Sequence, residues 1–148
     1  MSKWKPQTLE DKLIDAYWKK NGRGMLYLEV PVGNRVAGPW KKGSKVRRID
    51  AVRVVSEGAQ QDEVMPRKAY KLPDLEKIFN GAEVEVIEAK RRLNRAGFGQ
   101  AVSGADMFEM QYHPWIVTPV VIYEIGDLAL EWVCRKHGVT TWQKNVTK

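Results

Sequence analysis

The sequence is poor in the residues that carry most metal, disulfide and triad chemistry. Cys134 is its only cysteine, which excludes a disulfide framework and a thiolate zinc cluster. It falls in a helical pattern, where a small buried thiol packs as an apolar residue. The two histidines, His113 and His137, have no spaced partner that would make a zinc site or a catalytic triad. No apolar run approaches the roughly 20 residues that span a bilayer, and Met1 to Pro6 lacks the apolar stretch of a secretory leader. These two absences lead us to expect a soluble, cytoplasmic protein with no membrane partner. A phosphate-binding loop for ATP and a dinucleotide fingerprint are also missing, as are internal repeats and low-complexity tracts.

What is present is a globular composition with an excess of positive charge. The 148 residues are 43% hydrophobic and 29% charged, enough for one domain with a real core. Lys and Arg number 25 against 18 Asp and Glu, for a net charge of +7. Such a balance favours a polyanionic partner, nucleic acid first and an anionic surface second. Of the six tryptophans, Trp18, Trp115 and Trp132 sit in helix or strand patterns. Trp4, Trp40 and Trp142 lie near ends or loops, where they could stack on bases.

Periodicity predicts the order α-β-β-β-α-β-α, with a short last strand possible at 139–143. The first helix runs from Leu9 to Lys20, capped by Thr8 with Asp11 at the capping-box position. Leu9, Leu13, Ile14 and Tyr17 form its apolar arc, and Glu10 falls inside that arc. Met25 to Val32 is a strand, and the loop 33–44 leads through Lys41, Lys42 and Lys45 into a second strand at about 46–55. There alternation sets Arg48, Asp50, Val52 and Val54 on one face, so Asp50 lines up with core valines. Residues 56–82 read as an irregular insertion with one short helix, Pro73 to Phe79. A third strand ends in Val84-Glu85-Val86-Ile87-Glu88-Ala89-Lys90. A glycine-weakened helix follows at 93–110, then a strand at 115–124 whose Pro119 predicts an edge or a bulge. Asp127 caps a last helix, 128–137.

Glu88 and Lys90 are two apart on a strand and so share a face with Val84 and Val86. Acid-x-Lys by itself is weak: it occurs twice, at Glu10-Asp11-Lys12 and Glu88-Ala89-Lys90, about as often as chance allows. An edge-strand salt bridge of Glu88 with Lys90 or Arg92 is the bland alternative. Asp50, on an earlier strand, shifts the balance toward a divalent-metal site with an adjacent positive charge.

Glu10 on the first helix, Asp50 on the second strand, Glu88-Ala89-Lys90 on the third and Gln100 on the next helix together resemble the PD-(D/E)XK nuclease superfamily. The resemblance covers nearly the whole chain apart from 56–82, and Arg48-Ile49 stand where a proline often precedes the first acid. It implies an α/β fold with a central mixed sheet flanked by helices, a restriction-endonuclease-like core. The implied activity is Mg2+- or Mn2+-dependent hydrolysis of DNA phosphodiesters, with RNA left open, by an endonuclease or junction resolvase that works as a homodimer. Asp50, Glu88 and the Ala89 carbonyl then correspond to metal ligands, and Lys90 to the lysine that orients water. Glu10 corresponds to an acid reaching metal through water, and Gln100 to the accessory glutamine. Lys41, Lys42, Lys45, Arg47 and Arg48 before Asp50, and Arg91, Arg92 and Arg95 after Lys90, would position the phosphate backbone. The rival class is a nucleic-acid-binding module that keeps the fold without catalysis.

Overall fold

The computed structural model describes residues 4–34, 38–55 and 61–147. Among them a six-stranded mixed sheet, ordered β3-β1-β2-β4-β5-β6, carries helices on both faces. The elements are α1 (Leu9–Lys20), β1 (Met25–Val32), β2 (Arg47–Val55), β3 (Glu63–Met65), a 3-10 turn (Arg67–Ala69), α2 (Leu72–Phe79), β4 (Glu83–Arg92), α3 (Arg95–Tyr112), β5 (Ile116–Ile125), α4 (Leu128–Lys136) and β6 (Thr140–Gln143). No helix among the described residues is long and apolar enough to cross a membrane.

Local sequence explains the helix limits. Thr8 and Asp11 form the expected capping box of α1, which satisfies two amide donors reciprocally. The Asn94 and Asp127 side chains accept from the Gly97 and Leu130 amides at the starts of α3 and α4. α3 therefore starts two residues after the predicted point, beyond an Asn cap, and runs on to Tyr112. It stops at His113, whose left-handed backbone conformation (φ 55°) is one that Asn, Asp and His tolerate better than other side chains.

α1 covers one face of the sheet: its buried Leu13, Ile14, Tyr17 and Trp18 pack with Leu26, Leu28, Ala51, Ile87, Ala89 and Ile122. On the other face Phe79 of α2 and Ala105, Phe108 and Tyr112 of α3 pack with Val30, Ile49, Val52, Val84 and Val86. Cys134 of α4 is buried beside Ala101, Val121 and Tyr123, the core role expected of it.

The 56–82 segment differs from the expected irregular insertion. Within it, beyond residue 60, β3 adds a parallel strand beside β1 at Met25 to Tyr27, followed by the 3-10 turn and α2. Three residues are too few to display a period, so the strand had no signature to read. Pro119 lies in β5, an inner strand of the sheet. β6, however, pairs only from Val120 onward, so Pro119 has a sheet partner on one side alone.

The largest correction concerns β2. Val52 faces α2 and α3 and Ala51 faces α1, yet Ile49 faces the same side as Val52. Alternation therefore inverts at Asp50. β1 inverts at the same level: Leu26 and Leu28 face α1, whereas Val30 and Val32 face α3. The residue between them, Glu29, has a left-handed backbone (φ 53°), which flips the side-chain phase and is sterically costly for a non-glycine residue. Pairing holds one register on either side, Leu28 with Ala51 and Val30 with Ile49. Strict alternation therefore fails for Ile49, while Asp50 sits at the inversion itself and still reaches the α3 side with Glu88.

Candidate functional site

β2 and β4 pair from Val55–Glu83 as far as Ala51–Ile87 and then separate. Beyond that point β2 continues with β1, and β4 continues with β5. Asp50 sits at the resulting fork. Its carboxylate accepts a hydrogen bond from the Ala89 amide at 2.9 Å, replacing the ladder bond that the separation removes. The N–H and C=O of one strand residue point to the same edge, so the Ala89 carbonyl also faces the fork.

Glu88 follows the face predicted for it. It is buried, and a Cβ placed on Gly104 of α3 would stand 3.9 Å from its Oε1. Lys90 lies one pleat further along, its stem against the first turn of α3. A Cβ on Gly97 would approach Lys90 Cγ to 3.1 Å, closer than nearly all real contacts of that kind. The side-chain-free Gly97 leaves room for the lysine between strand and helix.

A cavity of about 360 Å³ opens over this fork. Asp50, Glu88, Lys90 and Gln100, brought from β2, β4 and α3, line it together with Arg47 and Arg48. Four of the five expected catalytic side chains therefore meet in one place. The edge-strand salt bridge does not form: Glu88 is in none of the ion pairs among the described residues, which are Lys19–Asp15 and Arg53–Glu85.

Electrostatics set the two acids apart from ordinary surface carboxylates. Burial, the Asp50 charge and their mutual hydrogen bond push Glu88 up to about 9, against a smaller opposing pull from Lys90. Asp50 is also raised, chiefly by burial and further by Glu10, while the Ala89 amide, Glu88 and Lys90 act in the other direction. Two carboxyls that cannot both ionise cheaply form a site that an added cation would relieve.

Among the described residues no group of three or more His, Cys, Asp and Glu side chains is disposed to hold a metal ion. The donor set at the fork is smaller, two carboxylates and one backbone carbonyl, all hard oxygens. That set suits Mg2+ or Mn2+, which keep several waters when protein bound, better than a soft metal.

Glu10 approaches from the opposite side. It is exposed on α1 and lines a separate cavity of about 270 Å³ with Glu29 and Asp50. Asp50 is thus reached from both faces of the sheet. Of the basic residues, Arg47 and Arg48 reach the fork cavity; Lys41, Lys42, Lys45, Arg92 and Arg95 are exposed and do not line it. Lys45 comes near through its backbone, since Gly33, beside Met107 of the cavity wall, packs against the Lys45 carbonyl. Arg91 has the Ala89 phase and faces away from Lys90. There it helps hold the Glu124 carboxyl below its usual range: burial opposes this, but hydrogen bonds from Val146 and Thr147 prevail.

The tryptophans exchange roles. Trp40 donates to the Gln111 Oε1 at 2.7 Å, Trp142 meets Tyr17 edge-on and Trp4 packs on the α1 core. Trp115 and Trp132, which sit in strand and helix patterns, are 74% and 57% exposed. Sequence reasoning also missed Ser103 and Met107, which line the cavity. Their spacing from Gln100 and Gly104, three to four residues along α3, is the signal that could have found them.

The chain matches no protein-family model, no curated protein and no solved structure.

Proposed function

We propose that the protein is a divalent-metal-dependent nuclease of the PD-(D/E)XK kind, with a restriction-endonuclease-like core, that hydrolyses DNA phosphodiesters at the fork between β2 and β4. The observation that carries this reading is the convergence of Asp50, Glu88, Lys90 and Gln100 on one cavity: Asp50 comes from β2, the others from β4 and α3, which follow each other much later in the chain.

Asp50, Glu88 and the Ala89 carbonyl are the groups that would hold Mg2+ or Mn2+. When bound, the ion supplies concentrated positive charge beside an anionic phosphodiester, which otherwise repels a nucleophile. Lys90 extends from the same strand face as Glu88, so its ammonium is a second, compact charge at the cavity. It orients the attacking water and offsets charge gathering on the phosphate oxygens. Gln100, across the cavity on α3, offers an amide donor to the same oxygens. Arg47 and Arg48 at the cavity edge hold the strand through its phosphates, without reading bases. Water forms the new P–O bond in line with the P–O3′ bond that breaks, leaving a 5′-phosphate and a 3′-hydroxyl.

The test is cleavage of a panel of single-stranded, duplex and branched DNA in Mg2+, in Mn2+ and in chelator. Metal-dependent cleavage that Asp50→Ala and Glu88→Ala each abolish, in variants whose circular dichroism is unchanged, is the expected result. Full cleavage by both folded variants would overturn the site. Binding without cleavage in either metal would leave the non-catalytic nucleic-acid-binding module in its place.

A further inference from the structure

We propose that Arg48, Arg67 and Tyr70 form a second phosphate site, which takes a neighbouring phosphodiester of the DNA strand being cut; the proposal rests on the nuclease reading above. A smaller cavity of about 140 Å³ is lined by Pro31, Asn34, Arg48, Arg67, Tyr70 and Leu72. Arg48 lines this cavity and the fork cavity alike, so the two adjoin across a single arginine. A strand seated over Asp50 and Glu88 and continuing past Arg48 meets Arg67 next.

The smaller cavity has the chemistry of an anion site. No carboxylate lines it, and neither arginine is in an ion pair among the described residues. Arg48 spends one donor, Nη1, on the Glu29 carbonyl at 3.2 Å. That bond fixes the guanidinium and leaves the rest of its five N–H donors for a ligand. Arg67 is exposed on the 3-10 turn, and its planar fork matches two phosphate oxygens.

Tyr70 lines the cavity with them and is anchored from behind. Its hydroxyl donates to the Leu28 carbonyl at 2.5 Å and lies 3.1 Å from that of Glu29, and its ring meets Tyr27 edge-on. Burial raises this hydroxyl to about 12, with the Arg48 and Arg67 charges pulling down and Glu29 pushing up. Both arginines line the same cavity as the ring. Glu29 lines the cavity on the far side and is not among the residues that line this one. On this reading the segment after β2, the part foreign to the resemblance, extends the substrate surface.

The decisive experiment measures anisotropy of a fluorescent DNA duplex with the whole protein in Ca2+, across a range of salt. Arg67→Ala is expected to weaken binding about 5- to 20-fold and to lower the slope of log K against log salt by about one, the signature of one lost phosphate contact. A scan of neutral methylphosphonates along the DNA should find one position, beside the cut, that weakens the wild type and leaves Arg67→Ala unaffected. Arg67→Lys should recover the salt slope but only part of the affinity. Wild-type affinity and slope in Arg67→Ala would overturn the second site, while loss of cleavage in Glu88→Ala would keep the nuclease reading standing. Failure of the wild type to bind or cleave DNA would overturn both.

Discussion

β2 and β4 carry two charged pairs, and they are opposites. In the middle of the paired region Arg53 faces Glu85 directly across the ladder, Nε to Oε1 at 2.8 Å, with both side chains largely out of solvent. Arg53 also donates to the Arg23 carbonyl. Where the strands part, Asp50 and Glu88 meet instead, two acids with raised affinity for protons. The first pair is complete: each charge has its partner, and nothing further can enter. The second pair is short of positive charge and opens on a cavity. A buried ion pair that satisfies itself needs nothing more, whereas two buried carboxyls hold together only with a shared proton or an added cation.

That contrast can be broken in four ways, by decreasing effect. Asp50→Asn and Glu88→Gln keep shape and remove charge, so metal-dependent cleavage should fall by roughly 10²–10³ or more in kcat/KM. Steady-state assays on both variants would show it, and a loss below tenfold in either would make the pair structural. Arg53→Met strands the Glu85 charge and should destabilise the fold by about 3 kcal/mol in urea titration. Adding Glu85→Leu should recover most of that loss, and cleavage per folded molecule should stay unchanged in both.

The third way uses pH in metal-free protein. Glu88 binds its proton more tightly folded than unfolded. Its protonated form therefore supports the fold below about pH 4.5, and that support is lost as pH rises toward about 9. Glu88→Gln should flatten this decline and exceed the wild type by roughly 1–3 kcal/mol at pH 8, read as a pH series of thermal melts. Mg2+ should restore the wild type and not the variant. The smallest effect belongs to Glu10→Gln. Exposed and on the far face, Glu10 should change cleavage only a few-fold, about 1 kcal/mol or less, because solvent screens its charge.

Much of the site was legible because it rests on short-range rules. The α1 capping box, the run into Glu88 and Lys90, and the shared face of that pair all follow from three- and two-residue periods, and the structure retains them. What escaped depends on contacts between distant segments. Arg53 and Glu85 are ordinary charges in strand patterns until register sets them opposite each other. The Ile49 face could not be read because period two assumes one phase throughout, and the phase inverts at the level of Glu29 and Asp50. The strand and helix patterns of Trp115 and Trp132 do not separate a core from an interface role; only the packing of neighbouring elements decides that they stay outside.

The inversion at Glu29 and Asp50 also protects against misalignment. An ordinary antiparallel pair can slide by two residues and keep every side chain on its proper face. Here both strands change phase at the same rung. A slide of two would separate the points of change, leaving a stretch where one strand presents apolar groups to α1 while its partner presents them to α3. The pair therefore has one alignment in which both layers agree, and that alignment sets Asp50 opposite Glu29 and within reach of Ala89. The same crossing of phase that misleads pattern reading at Ile49 fixes the level at which Asp50 sits.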